Sequence, residues 1–176
     1  MAKKNVVATL FTGDLVITEA SDSARALYDQ NRFGKKEGDK IQLSLLEAYY
    51  LLEKEKIIVK DKRKTLTEEQ LFRKIKKTQP NFWTRYCVFR DFRNRGYIVK
   101  TALKFGADFR VYERGVKPGE DHAKWIVYPV HESVALTWQA FSAKNRVAHS
   151  TKKRLLIGVV DDEGDVTYYE VRWMRP

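Results

Sequence analysis

Gly106-Ala-Asp-Phe-Arg-Val-Tyr-Glu-Arg114 is the stretch on which the reading of this chain turns. Asp108 to Glu113 reads as a strand, with Tyr112 near its edge. Upstream, Asn81 to Arg95 keeps a helical spacing, with Phe82, Tyr86, Phe89 and Phe92 close to one face, and Gly96 ends it. Strands are expected at Tyr97–Thr101, Trp125–Val130, Leu155–Val160 and Val166–Trp173, with a helix from about Thr137 to Lys152 among them. This second half predicts a mixed sheet flanked by helices.

The first half mixes short elements. Val6–Phe11 and Asp14–Thr18 read as strands around a Thr12-Gly13 turn, and Ser21–Gln30 as a helix capped by Ser21 or Asp22. Gly34 to Lys40 reads as a polar loop. Ile41–Leu43 restarts a strand, and Ser44 with Glu47 forms a capping box for a helix over Leu45–Lys54. Ile57–Val59 is a short strand, and Thr67 opens a helix reaching about Lys77. Pro80 marks the boundary, because the residue before a proline is biased away from helix. The fold class expected is therefore α+β, with a small mixed α/β N-terminal domain over 1–82 and a mixed-sheet domain flanked by helices over 83–176.

The 176 residues carry 34 Lys and Arg against 23 Asp and Glu, a formal charge of +11. Residues 1–82 hold 17 basic and 12 acidic side chains, and residues 83–176 hold 17 and 11, so the excess is spread over both halves. Such a surface favours a polyanionic partner, because binding phosphates releases counterions. The single cysteine, Cys87, excludes an intrachain disulfide and a multi-cysteine zinc site, which fits a reducing cytoplasm. No apolar run approaches the roughly 20 residues of a membrane span. A cytoplasmic protein with no cofactor and no membrane contact is expected.

Three chemically different groups stand in the second half. A phenol, Tyr112, lies at a strand end, an imidazole, His122, lies ten residues on, and an ammonium, Lys153, follows a basic helix. Cleaving RNA without a metal needs a base for the 2′-hydroxyl, an acid for the departing 5′-oxygen and positive charge near the phosphate. Histidine suits the acid, lysine the fixed charge. Tyrosine is a poor base unless nearby cations favour the phenolate, and Arg110, Arg114 and Lys153 are candidates for that. His131 and His149 compete with His122, and residue chemistry alone does not rank His122 above His149.

Asp91-Phe-Arg-Asn-Arg-Gly-Tyr-Ile-Val-Lys100, Phe105-Gly-Ala-Asp-Phe-Arg110 and Arg146-Val-Ala-His-Ser-Thr-Lys-Lys153 closely resemble the archaeal tRNA-splicing endonuclease family. The resemblance covers the second half well. In the first it rests mainly on Leu43-Ser-Leu-Leu-Glu-Ala-Tyr-Tyr-Leu-Leu52. It implies that Tyr112, His122 and Lys153 are the catalytic residues. It also implies cutting of precursor tRNA at a helix flanked by two bulges, leaving a 2′,3′-cyclic phosphate and a 5′-hydroxyl. Arg146 would clamp an extruded bulge base, and Arg172 is a candidate for a second clamping arginine. The acidic run Asp161-Asp-Glu-Gly-Asp165, a hairpin loop on local grounds, would join dimers into a homotetramer, or a heterotetramer with a second gene product. The last strand, with Tyr169, Val171 and Trp173 on one face, is either core or an interface.

Two rivals follow from the residues. A metal-dependent DNA endonuclease could use Asp108, but would want converging carboxylates and a Glu-x-Lys that the second half lacks. A non-catalytic RNA-binding subunit would not need Tyr112, His122 and Lys153 together.

Overall fold

The computed structural model describes residues 5–11, 14–102, 107–119 and 121–174. The chain divides into two units, Met1–Phe82 and Trp83–Pro176.

In the first unit, six strands form one sheet: β1 (Val6–Phe11), β2 (Leu15–Thr18), β3 (Lys35–Glu37), β4 (Lys40–Leu43), β5 (Ile57–Asp61) and β6 (Lys64–Thr65). Their order is β3-β4-β2-β1-β5-β6, with β1 and β5 parallel and the other neighbours antiparallel. Alternation buries Val6, Ala8, Val16, Leu43, Ile57 and Val59, which supply the sheet's share of the core. Three helices accompany the sheet: α1 (Asp22–Asp29), α2 (Leu45–Glu53) and α3 (Glu68–Thr78).

Ser21, Ser44 and Thr67 cap these helices, the last two within capping boxes completed by Glu47 and Gln70. Glu47 also accepts from the Gly34 backbone N–H at 2.7 Å, which ties α2 to the chain before β3. The polar loop expected over Gly34–Lys40 is instead a β-hairpin, β3 with β4. Its first strand, Lys35-Lys36-Glu37, is an exposed edge with no apolar side chain to reveal it. The Thr12-Gly13 turn lies outside the described residues.

In the second unit, α4 (Phe82–Asn94) precedes β7 (Ile98–Thr101), β8 (Phe109–Tyr112) and β9 (Trp125–His131). Then come α5 (Trp138–Ser150), β10 (Arg154–Val160) and β11 (Val166–Val171), and the sheet order is β11-β10-β9-β8-β7. Only β9 and β10 run parallel, joined by the crossover through α5. Ile126, Tyr128, Leu155 and Ile157 cluster with Ala148 of α5 and the half-buried Phe141, so α5 covers one face.

The other face meets α4. A methyl group on Gly158 would lie 3.0 Å from Val88 Cγ2, so the missing side chain is what admits that valine to β10. Phe92 packs on Tyr168 at 4.8 Å, and the Tyr168 hydroxyl donates to Asp91 at 2.8 Å. Burial, helped by that carboxylate, pushes the Tyr168 phenol far above its ordinary range. Pro129 lies in β9 beyond Val127, the last residue paired with β8, while its pairing with Gly158 of β10 continues.

The architecture is α+β, a small mixed unit followed by a mixed sheet between helices, as the patterning predicts. Among the described residues, no helix is long and apolar enough to cross a membrane.

Candidate active site

Strand direction decides what meets at one end of the second sheet. The chain leaves β8 after Tyr112, enters β9 at Trp125 and enters β10 at Arg154, and the register pairs Val111 with Trp125 and Trp125 with Arg154. Tyr112, Lys124 and Lys153 therefore stand each one residue beyond those pairs, on three neighbouring strands. Tyr112 and Lys153 are two strand spacings apart, roughly 10 Å between Cα atoms. Alternation puts Tyr112 on the side of Arg110 and its partner Ile126, the face that α5 covers.

Tyr112 is buried, and its hydroxyl makes no hydrogen bond among the described residues. Packing thus fixes the ring and leaves its polar tip uncommitted.

Lys153 is set by the way α5 ends. The Lys152 N–H donates to the His149 carbonyl, and the Lys153 N–H to that of Ala148 at 2.9 Å, the pair of bonds of a Schellman turn. Lys152 has a φ of 55°, a conformation in which glycine is the usual residue. The half-buried Lys153 ammonium donates to the Thr151 carbonyl at 2.9 Å.

His122 is exposed on the loop between β8 and β9, next to buried Ala123. Its backbone N–H donates to the Asp121 carboxylate at 2.6 Å. Glu113 and Lys124 close the loop at its root with an ion pair, and the Lys124 ammonium lies over the Trp125 ring, 4.7 Å from its centroid. The Lys124 N–H donates to Val111, so both Lys124 and Trp125 sit opposite that one residue, as in a β-bulge. Arg114, one residue beyond Glu113, lies over the Tyr97 ring at 5.0 Å. Gly106 and Glu120 lie outside the described residues.

Topology separates the competing histidines. His131 ends β9, six residues from Trp125, roughly 20 Å along the strand, and pairs there with Asp162. His149 lies at the same end of the sheet as Lys153, with its ring 4.7 Å from that of Trp173. Arg146 is exposed on α5, three residues before His149 and so on the same side of the helix.

Arg172 is engaged elsewhere. Its Nε donates to Glu170 at 3.0 Å, and the same carboxylate accepts from the Trp125 indole N–H at 3.1 Å. That indole hydrogen bond, then Arg172 and Arg154, hold the Glu170 carboxyl below its usual range. Sequence reasoning missed Lys124 and the packing of Trp173 on His149. Both emerge only once the strand register is known.

The family model for the tRNA intron endonuclease catalytic C-terminal domain matches residues 82–168, and the model for that endonuclease's N-terminal domain matches residues 7–72. The chain belongs to the tRNA intron endonuclease family. A tRNA-splicing endonuclease of Methanothermobacter thermautotrophicus is 43% identical over 166 residues, 93% of this chain and 96% of its own length. One from Thermococcus onnurineus is 39% identical over 172 residues, 98% of this chain and 99% of its own. A third, from Nanoarchaeum equitans, is 42% identical over 144 residues, 78% of this chain and 92% of its own. Membership of the tRNA intron endonuclease family makes the chain an enzyme that cuts tRNA introns.

Proposed function

We propose that this enzyme excises introns from precursor tRNA at bulge–helix–bulge sites, without a metal ion. The 2′-hydroxyl at the cleavage site attacks the adjacent phosphorus, and the bond to the 5′-oxygen breaks. The products carry a 2′,3′-cyclic phosphate and a 5′-hydroxyl. Tyr112 as its phenolate accepts the 2′-hydroxyl proton, His122 as its imidazolium donates to the leaving oxygen, and Lys153 stabilises the charge that gathers on the phosphate oxygens. Arg146 stacks on an extruded bulge base, and Trp173, packed on His149 of the same helix, offers a second flat surface for it. In this reading residues 83–176 are the catalytic domain and residues 1–82 the N-terminal domain.

The observation that carries the reading is topological: the ends of β8 and α5, and the root of the His122 loop, share one end of the sheet, and Arg146 lies about one turn before the end of α5. The test is cleavage of a bulge–helix–bulge RNA by purified protein in EDTA. A cyclic phosphate and a 5′-hydroxyl are expected. Loss of activity in EDTA, with recovery on adding Mg²⁺, overturns the mechanism.

We further propose a homotetramer. Support comes from the opposite end of the sheet. Val130, Val134, Leu136, Phe141, Tyr169 and Val171 line an open groove of about 340 Å³ beside the edge strand β11, and Tyr169 is 58% exposed. A second copy covers this apolar face, and the exposed carboxylates of Asp161–Asp165 then dock into basic grooves of another dimer. Light scattering on purified protein tests it. A requirement for a co-expressed partner would point to a heterotetramer.

A further inference from the structure

The two outer hairpins of the N-terminal sheet are both charged, but only one is balanced. At the β3–β4 edge, Lys35, Lys36 and Lys40 face Glu37 and Asp39 in the same hairpin. Lys36 also pairs with Asp29 at 2.7 Å, and Asp39 with Arg25 at 3.8 Å. At the β5–β6 edge, five consecutive residues supply four cations, Lys60, Lys62, Arg63 and Lys64, against the single carboxylate of Asp61. That carboxylate is already taken. Lys74 of α3 donates to it at 2.8 Å and holds it below its usual range. None of the four hairpin cations makes an ion pair among the described residues.

The turn itself is costly. Asp61 pairs with Lys64, which leaves Lys62-Arg63 as a two-residue connection, and Lys62 has a φ of 54°. Asn-Gly or a glycine would relieve the backbone there, so long cations stand where a small residue fits better. Lysine on an exposed edge also deters strand-to-strand association, but that purpose is served by charge of either sign. The other edge achieves it with near-neutral charge. Unbalanced positive charge on a protruding turn suits a row of phosphates.

We propose that the β5–β6 hairpin binds the phosphate backbone of the enzyme's RNA substrate. The inference rests on the reading of that substrate as precursor tRNA. It adds an anchoring surface on the N-terminal unit to the groups that cut.

The test uses the intact protein and a labelled precursor tRNA, made uncleavable by a 2′-deoxy nucleotide at each cut site. Affinity is measured from 50 to 300 mM KCl. One variant carries Lys60→Gln, Lys62→Gln, Arg63→Gln and Lys64→Gln, and a second carries Glu at the same four positions. The glutamate variant keeps the edge charged while repelling phosphate. Both should bind about tenfold or more weakly at 100 mM salt, with the salt slope shallower by roughly 0.7–0.9 for each phosphate no longer neutralised. The cleavage rate at saturating RNA should be unchanged.

Wild-type affinity and slope in the glutamate variant would overturn the proposal. So would self-association of the glutamine variant with normal RNA affinity, which would assign the lysines to edge protection. If either quadruple variant unfolds, Arg63→Glu alone, at the turn tip, should still weaken binding and flatten the slope, and no change there is equally fatal. Failure of the wild-type protein to cut precursor tRNA would instead sink the reading of function, which the affinity measurement does not depend on.

Discussion

The two ends of the five-stranded sheet share strands β9 and β10, yet they hold opposite chemistry. At one end stand Tyr112, Lys124 and Lys153, with the loop of His122 and the exposed Arg146 of α5 nearby. At the other stand His131, the carboxylates of Asp161, Asp162, Glu163 and Asp165, and an apolar groove beside β11. Positive charge collects where β8 and α5 finish, and negative charge where β10 turns into β11. A sheet is a rigid spacer, with a rise of about 3.3 Å per residue, so each end can be tuned without moving the other. The contrast teaches that reaction and association can be assigned to separate ends and tested separately.

The largest effect should come from comparing two histidines. His122→Ala is expected to lower the single-turnover cleavage rate by about 10²–10⁴-fold with RNA affinity nearly unchanged, whereas His131→Ala should leave that rate near normal. Equal losses from both would break the division between the ends. If His122→Ala cleaves normally, His149 is the next to test.

Reversing charge at the far end should act through assembly. Asp162→Lys with Glu163→Lys should give folded dimers that cleave poorly, and light scattering with an activity assay reads both. Tetramers that persist with full activity would remove the acidic loop from any role in association.

Gly158 sits between the ends. Gly158→Ala should destabilise the protein by about 1–3 kcal/mol, because the new methyl meets Val88 at 3.0 Å in a packed layer. Denaturant unfolding measures it. A neutral result would mean that α4 has room to move away from β10.

The smallest effect is a pH dependence at neither end. The Tyr168 phenol titrates above its ordinary value in the folded protein, so its contribution to stability is complete below about pH 10 and is lost as pH rises past it. Melting temperatures between pH 8 and 11 should fall more steeply for the wild type than for Tyr168→Phe. Parallel curves would show that the hydroxyl bound to Asp91 is not the group responsible.

Much of the architecture was legible because burial leaves a period in the sequence. Phe82, Tyr86, Phe89 and Phe92 announce α4, and Ser44 with Glu47 announces α2. The strands that escaped are β3 and β6, of three and two residues, edge strands whose exposed charged side chains carry no alternation. Tyr112, His122, Lys153 and Arg146 could be named from the resemblance, but not ranked against His131 and His149 from residue chemistry. Strand direction supplies what was missing for His131, by putting it at the opposite end. Lys124 reads as one more surface lysine until the register makes it the neighbour of Tyr112. Trp173 reads as the tail of a strand until its ring meets His149.

Pro129 gives the sheet an uneven outline. Among the described residues, pairing of β9 with β8 stops at Val127, and the proline two residues on offers no N–H for a neighbouring strand to bond. A ladder needs an N–H at every second residue along the paired edge, so no strand can pair unbroken past that position. The open ladders of the sheet are therefore those of its outer strands, β11 and β7, where an added strand would have to pair.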